Sequence, residues 1–492
     1  MLKKHLTIRN VISLITIITG CILFLSGELY NSYELQVFGI TFIWLNNMFF
    51  SLYNIKKRVI FFFLNVTMFT LLISRPLIAT IRGSKFWYFP YNNINFALTG
   101  VFFSLLFLFI GSLVATIVTK KVINKSILIN QDTHEDEKTH LLRITSGVLY
   151  IISILSTLLI NIEKYLYAKS TSYLEFHAGF TSHLPFFIKG FSLFSTFALC
   201  IFLATFPTKK RSITMLALYV LTTVPTFLMG SRNSLVLSFL FALVYVIMRS
   251  FYDKKESWFG KKEGIIIGAM VPPGLFGLGI MNYLRAGESA PKGIFSIIID
   301  FFYKQGTTFD TLSIGYKFMD KLPFSEIKLY TFGPFLDALK YGVISQKLFG
   351  MRSMNEGNNY YRGIASYQLA NNLDYVSRWK DFFKGNGFGS SFILETYLDF
   401  GYIGVIISSF IFGVLTILFI VYFRKNKIFI NIFILTSLIS FFFLPRDATL
   451  RWAVFILKPS FWMCVCFCYV GAFLLSKFKS KKIVKYFSTL FN

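Results

Sequence analysis

Long apolar runs, each bounded by polar or basic residues, recur along the whole chain. A run of about twenty apolar residues is long enough, as an α-helix, to cross the roughly 30 Å hydrocarbon core of a bilayer. The pattern therefore predicts an all-α polytopic membrane protein with about 12 transmembrane helices, because helices satisfy their own backbone groups in lipid. The predicted spans cover residues 11–27, 35–53, 59–79, 97–118, 144–162, 190–206, 212–229, 234–248, 264–282, 402–422, 428–444 and 453–475.

Basic residues alternate between the connectors of these spans. Lys and Arg precede the first span and fill the second connector at 56–58, whereas the first connector at 28–34 contains none. The alternation continues to the basic tail at the end of the chain. Short cytoplasmic loops carry the excess of Lys and Arg in membrane proteins. Both termini are therefore predicted to be cytoplasmic.

The long hydrophilic segment between the ninth and tenth spans is the only sizeable polar part of the sequence. The charge alternation places it outside the cytoplasm. The chain thus divides into spans one to nine at 1–282, a large extracytoplasmic loop at 283–391, and the last three spans with a basic tail at 392–492. Structureless connections longer than about 15 residues are uncommon and usually functional, so this loop is predicted to take part in function.

Short helices on the membrane surface are predicted within this loop, because apolar residues recur there with helical spacing. They cover 294–303, 313–318 and 336–348. Tyr361 and Arg362 lie in an aromatic and amide-rich stretch typical of a carbohydrate-binding surface. Ordinary interfacial aromatic residues explain the same stretch equally well.

Composition and charge agree with this picture, since 55% of the 492 residues are hydrophobic and 19% are aromatic. The net charge of +27 raises the question of a nucleic-acid partner. The basic residues lie between apolar runs and not on one soluble face, so no nucleic-acid partner is predicted. Cys464, Cys466 and Cys468 alternate within an apolar run, where they point to different sides of a helix. This spacing does not fit a metal site, and neither a metal nor another cofactor is predicted.

Arginines at the predicted outer ends of the spans are the first candidates for chemistry. Arg232 begins a span after a tight hairpin, Arg285 ends the ninth span, and Arg75 ends the third. Arg446 and Arg451 lie in the connector between the last two spans. A guanidinium group binds phosphate oxygens bidentately and stays charged, so a ring of such groups could hold a lipid pyrophosphate. The alternative for each arginine is contact with lipid headgroups.

Two carboxylates begin the tenth span, one helical turn apart. Glu395 and Asp399 are spaced i and i+4, which places both on one face of a helix. A carboxylate at this position could act as a general base on a sugar hydroxyl. Pairing with the arginines is an equally good interpretation. Gly389 and Gly401 are expected to permit close backbone turns on either side.

Taken together, these residues resemble the Wzy-type oligosaccharide repeat-unit polymerases, also called O-antigen polymerases. The resemblance rests on the long loop before the last three spans and on short motifs, which are Gly230, Ser231 and Arg232 at the start of a span, Gly389 to Phe392, Glu395, Phe400, Gly401 and Gly404. It implies a GT-C-like glycosyltransferase of the bacterial inner membrane. Such an enzyme would transfer a glycan from an undecaprenyl-diphosphate donor to a lipid-linked repeat unit on the outer face, with a chain-length regulator protein as a further partner.

The resemblance also implies roles for the candidate residues. The predicted catalytic residues are Arg232, Arg285 and Glu395. The predicted substrate-binding residues are Arg446, Arg451, Arg75, Tyr361, Arg362 and Asp399.

Two other functions compete with this one. An O-antigen ligase is expected to have a histidine in its outer loop, and none of the five histidines lies in 282–391. A lipid-glycan flippase or transporter would need polar groups along the middle of its spans. The centres of the spans are nearly free of charge here, which favours the enzyme.

Overall fold

The computed structural model of the protein describes residues 2–83, 89–126, 137–171, 180–252, 258–291, 293–322, 329–354, 357–423 and 427–477. The first half contains α1 (Leu2–Leu29), α2 (Tyr33–Leu52), α3 (Ile55–Met68), α4 (Ser74–Ile81), α5 (Tyr91–Ser126), α6 (Glu137–Ser170), α7 (Phe186–Ser192), α8 (Ser195–Ala204), α9 (Lys209–Leu221), α10 (Val224–Leu228) and α11 (Arg232–Tyr252). The second half contains α12 (Lys261–Ala286), α13 (Ile294–Gln305), α14 (Thr308–Phe318), α15 (Gly333–Tyr341), α16 (Val343–Phe349), α17 (Tyr360–Ala365), α18 (Leu369–Phe382), α19 (Phe392–Phe423), α20 (Ile428–Phe441) and α21 (Pro459–Lys477).

The protein is an all-α polytopic membrane protein, as the apolar pattern predicts. It is 84% helical and has no strand among the described residues. Eleven helical stretches of that part are long and apolar enough to cross a membrane. They are α1, α2, α3 with α4, α5, α6, α7 with α8, α9 with α10, α11, α12, α19 and α21.

The predicted eleventh span, 428–444, has a shorter counterpart in the structure. Helix α20 contains 14 residues, which corresponds to about 21 Å of helix at 1.5 Å per residue. Residues Arg451–Leu457 form a 3-10 helix, and α21 starts only at Pro459. Proline fits the first turn of a helix because its missing N–H has no partner there. The last span thus begins later than the pattern at 453–475 predicts.

Helices α5 and α19 pack against each other through glycine. A Cβ atom on Gly111 would overlap the carbonyl oxygen of Phe410, and one on Gly413 would overlap the carbonyl oxygen of Leu108. Small residues let two helix backbones approach closely, and this contact replaces the hydrophobic driving force that lipid cannot supply. These two glycines therefore fix the centre of the bundle.

Helix α12 packs loosely by comparison. Only 6% of its most apolar window is buried, whereas half of the corresponding window is buried in α5 and in α19. A Cβ atom on Gly268, Gly274 or Gly277 would meet no neighbouring atom within 4 Å. Pro272 and Pro273 also lie inside this helix, where each removes a backbone hydrogen bond. Helix α12 leaves a gap beside its neighbours.

The large loop folds into short helices. The predicted helices 294–303 and 313–318 are confirmed as α13 and α14, with slightly wider bounds. The predicted single helix 336–348 is wrong, because α15 and α16 are separate. Gly342 joins them in an extended conformation with ψ of 165°, which no helix can continue.

Helix α19 changes direction at Gly401. This residue has φ of 63° and ψ of −159°, a conformation that favours glycine. Two residues before Gly401, Asp399 accepts hydrogen bonds from the backbone N–H groups of Tyr330 and Thr331, at 3.0 and 2.7 Å. Gly389 also has a positive φ of 84°. The expectation of close backbone turns at both glycines is confirmed.

Candidate active site

A polar cavity of about 380 Å³ lies where α11 begins and α12 ends. Its wall is completed by Lys304 and Gln305 at the end of α13 and by Thr307 just after that helix. Arg446, at the end of a 3-10 turn, also lines it. Because α11 and α12 run antiparallel, the start of one and the end of the other meet at the same end of the bundle. The lining residues are Gly230, Ser231, Arg232, Asn233, Asn282, Glu288, Lys304, Gln305, Thr307 and Arg446.

Arg232 is held in this cavity by two buried amides. Its Nη1 donates to Oδ1 of Asn282. With the amide of Gln305 oriented so that its oxygen faces the guanidinium group, that oxygen accepts from Nη1 and Nη2 at 3.0 and 3.1 Å. Asn282 is 6% exposed and Gln305 is 7% exposed. Both amides are neutral, and together they orient the guanidinium group.

Positive charge exceeds negative charge among the lining residues. Arg232, Lys304 and Arg446 are cationic, and Glu288 is the carboxylate among the lining residues. Glu288 pairs with Lys304 at 3.4 Å, and both side chains are well exposed. An exposed pair of this kind contributes little energy. The excess of cationic lining residues therefore attracts anions to the cavity.

Asn282 also offers a donor toward this region. Its Nδ2 is buried and meets no acceptor within the part of the chain that the structure describes. A buried donor without an acceptor costs roughly 1–3 kcal/mol.

Arg446 reaches the cavity from a buried layer of the protein. The backbone oxygen of Arg446 lies 3.7 Å from the position of a Cβ on Gly389. Next to it, Asp374 accepts a hydrogen bond of 2.6 Å from the backbone N–H of Phe388. Burial raises the pKa of Asp374 to about 7, and the positive charges of Arg378 and Arg446 oppose this rise. The carboxyl group of Asp374 thus holds α18 to the return of the large loop, within range of the charge of Arg446.

The sequence as a whole matches one family. The family model described as O-antigen polysaccharide polymerase Wzy covers residues 8–479. The chain belongs to the Wzy family of O-antigen polymerases. It is therefore a membrane-bound polymerase of O-antigen repeat units, of the glycosyltransferase type, and it acts in polysaccharide biosynthesis on lipid-linked repeat units. A search of curated proteins and a search of solved structures gave no significant match.

Within this Wzy-family protein, Arg75 lies one layer behind the cavity. Its Nε pairs with Oδ2 of Asp310 at 3.1 Å. Burial raises the pKa of Asp310 to about 6, although the charge of Arg75 lowers it. Gly306 packs directly on the backbone and Cβ of Arg75, and the following residue, Thr307, lines the cavity. Arg75 supports the wall of the site.

The remaining predicted arginines and the tyrosine have other surroundings. Arg451 pairs with Asp447 at 3.5 Å and is 44% exposed, and it is not among the residues lining the cavity. Tyr361 lies under the guanidinium group of Arg352, at 4.3 Å from the ring centre. Arg362 belongs to the same short helix, α17, and neither residue lines the cavity. The backbone of Arg285 lies in the last turn of α12, and its side chain lies outside the described residues.

Glu395 is fully buried in the polymerase and is hydrogen-bonded on both oxygens. Its Oε1 accepts from Oγ of Ser390 at 2.7 Å. Its Oε2 accepts from the backbone N–H and the hydroxyl of Thr449, at 2.7 and 2.8 Å. Glu395 thus ties the start of α19 to the segment that carries Arg446. Asp399 bonds to a different segment, so the structure does not bring the two carboxylates to one set of partners.

Sequence reasoning missed Asn282, Lys304, Gln305 and Thr307, which line the cavity beside Arg232. A signal was present for Asn282, since a polar amide stood near the end of an apolar span. For the residues of α13, no local pattern distinguishes the side that faces Arg232 from the side that faces solvent.

Proposed function

We propose that the protein transfers a growing glycan from an undecaprenyl-diphosphate donor to the non-reducing-end sugar of a lipid-linked repeat unit. The reaction takes place on the outer face of the cytoplasmic membrane, at the end of the bundle that carries the large loop, and both termini are cytoplasmic. The observation that carries the proposal is the positively charged cavity around Arg232. It lies at the start of a membrane span, and the ends of spans lie near the lipid head groups.

The chemistry of this transfer sets the requirement for positive charge. The acceptor hydroxyl oxygen forms a bond to the anomeric carbon, the bond between that carbon and the diphosphate oxygen breaks, and the hydroxyl proton passes to a base. The departing diphosphate gains negative charge as the bond breaks. Arg232 and Arg446, with Lys304, face this charge from the walls of the cavity. Preorganised hydrogen-bond donors aimed at developing charge make the largest contribution to the rate enhancement of many enzymes.

Arg285 belongs to this proposal through its place on α12, less than one turn beyond Asn282. Four further residues are proposed to contact the substrates outside the cavity: Arg75, Arg451, Tyr361 and Arg362. The fold is proposed to be GT-C-like, with the glycan bound under the large loop. A chain-length regulator is proposed as a partner. None of these contacts is needed for the argument from the cavity.

The identity of the base is a separate question. Glu395 as general base stays a prediction. Its three hydrogen bonds support a positioning role, in which the buried carboxylate holds the segment from Arg446 to Thr449 against α19. Asp399 is likewise proposed to position the helix at Tyr330 and Thr331.

The experiment replaces Arg232 and Arg285 separately by alanine in cells that depend on the protein for surface glycan. We expect each variant to accumulate in the membrane and to leave single repeat units on the cell surface, with polymerisation lowered roughly a hundredfold or more. Arg232→Lys should also impair chain growth, because an ammonium group does not reproduce the two-pronged contact of guanidinium. The matched control is Lys347→Ala, which removes an exposed cation of α16.

A normal distribution of polymer lengths in both alanine variants would contradict the proposed role of the arginines. The surface glycan of cells that lack the protein provides a second test. Single repeat units on the surface identify a polymerase, whereas the absence of all surface glycan would identify a flippase or a ligase.

A further inference from the structure

A second cavity, of about 480 Å³, lies directly beneath the polar one. It is bounded by α9 and α10 on one side and by α11 and α12 on the other. Its wall is almost wholly hydrocarbon. The lining residues are Val220, Phe227, Leu235, Val236, Phe239, Leu240, Ile267, Met270, Val271, Gly274, Leu275, Gly277 and Leu278. We call this cavity the apolar groove.

The apolar groove continues the polar cavity along the same two helices. On α11, Arg232 lines the polar cavity and Leu235 lines the groove, three residues further on. On α12, Asn282 lines the polar cavity and Leu278 lines the groove, four residues earlier. One turn of helix advances about 5.4 Å. The two cavities are therefore stacked, with about one helical turn between them.

The groove opens sideways toward the surrounding lipid. Met270 and Val271 line it and are 64% and 46% exposed. Its residues on α12 recur three and four apart from Ile267 to Leu278, so they occupy one face of that helix. The loose packing of α12 leaves this face uncovered by other helices of the described chain. A hydrocarbon chain could enter the groove from the bilayer without passing through water.

We propose that the apolar groove binds the polyprenyl chain of the lipid diphosphate whose head group occupies the polar cavity. This inference rests on the proposed function. The apolar groove ends about one helical turn from a cavity with excess positive charge, and a ligand that would fill both is one long hydrocarbon chain ending in a diphosphate. A chain that enters from the bilayer gains no hydrophobic transfer energy, so the groove would hold it by packing contacts and fix the depth of the diphosphate at Arg232.

The glycines of α12 provide a direct test. Gly274 and Gly277 line the groove, and a Cβ on either would meet no atom within 4 Å. A phenylalanine at either position would add its Cβ without a clash and extend its ring into the groove. Gly268 lies on the same helix with the same free space, but it does not line the groove. Gly268→Phe is therefore the matched control.

The experiment measures binding of undecaprenyl diphosphate and of inorganic pyrophosphate to purified protein in lipid nanodiscs. We expect Gly274→Phe and Gly277→Phe to weaken the binding of undecaprenyl diphosphate about tenfold, because the ring occupies space that the polyprenyl chain would fill. Pyrophosphate binding should not change in these variants, and Gly268→Phe should behave as the wild type. Unchanged affinity for undecaprenyl diphosphate in both groove variants, or an equal loss for pyrophosphate, would overturn the proposal.

A second arm tests whether the groove holds a membrane phospholipid instead. A diazirine-bearing phosphatidylglycerol should label α12 beside Met270, and undecaprenyl diphosphate should compete with that labelling. Labelling that persists at saturating undecaprenyl diphosphate would assign the groove to bulk lipid and overturn the inference.

Failure of this inference is distinguishable from failure of the proposed function. If the wild type assembles polymer in cells and the groove variants bind normally, the groove assignment alone is wrong. If the wild type assembles no polymer, the proposed function is wrong, whatever lipid the groove holds.

Discussion

Two helix pairs of the molecule use glycine in opposite ways. Between α5 and α19, Gly111 and Gly413 are covered by the backbone of the opposite helix, so that no side chain fits there. On α12, Gly274 and Gly277 face empty space beside α11. A small residue in a membrane helix can thus mark either a close contact or a vacant groove. The difference separates a packed centre that holds the fold from an open side that is available to a ligand.

The polar groups follow the same division. Glu395, in the packed centre, has protein donors on both oxygens. Arg232, on the open side, is oriented by two neutral amides. Glu395 lies in the packed centre away from the cavity, whereas Arg232 lines the polar cavity on the open side. This contrast leads to predictions of decreasing size.

The largest effect is expected in the packed centre. Gly413→Leu would drive a side chain into the carbonyl oxygen of Leu108 and force α5 and α19 apart. Overpacking against backbone should cost about 3 kcal/mol or more, and the protein should be nearly lost from the membrane. The measurement is the amount of folded protein by fluorescence-detected size-exclusion chromatography.

Gly268→Leu on the open side is the matched control for that substitution, and it should accumulate as the wild type does. Equal accumulation of Gly413→Leu and Gly268→Leu would remove the distinction between the two regions.

The next effect concerns Glu395. Glu395→Ala leaves the donors of Ser390 and Thr449 buried without an acceptor, and we expect a loss of about 2–3 kcal/mol in stability. Glu395→Gln keeps the shape and an acceptor oxygen, so it should retain polymer synthesis per folded molecule. The measurements are thermal unfolding in nanodiscs and polymer length in cells. A Gln variant that folds as well as the wild type but makes no polymer would establish Glu395 as the base instead.

Per unit of pH, a smaller effect is expected from the titration of Asp374. The pKa of Asp374 is about 7 in the folded protein, above its ordinary value of 3.8, because the side chain is buried. The folded state therefore holds this proton more tightly than the unfolded state, so the stabilising contribution is complete below about pH 4 and is lost as pH rises to about 7. One group contributes at most about 1.4 kcal/mol per pH unit within this window.

Asp374→Asn should flatten the dependence of the unfolding temperature on pH between about 5 and 7. Asp310, with a pKa of about 6, gives a contribution of the same sign, so the slope should decrease without vanishing. An unchanged slope in Asp374→Asn would show that this carboxyl group does not titrate in the window.

The spans could be predicted from the sequence because their signal is local. An apolar run of bilayer length predicts a spanning helix whatever its neighbours are. The turns at Gly389 and Gly401 were also predictable, because a positive φ favours glycine. The division of 336–348 into two helices was missed, because apolar spacing alone does not reveal that Gly342 is extended.

The site was predictable only in part, because it depends on how distant segments meet. Arg232 and Arg446 stood out as charges beside apolar runs, and the structure brings both to one cavity. Gln305 and Lys304 belong to a short loop helix, and their approach to Arg232 depends on the packing of α13 against α12. The opposite roles of Gly274 and Gly413 are likewise invisible in sequence, since both are glycines in apolar helices.

The pairing of α5 with α19 also bears on how the protein is made. Helix α5 leaves the ribosome early, whereas α19 follows only after most of the chain has been synthesised. Until then Gly111 has no partner, and the helices inserted first must wait in the bilayer without their central contact. Contacts between distant segments form slowly. The insertion of α19, and not the insertion of the first spans, is therefore the step at which the scaffold closes.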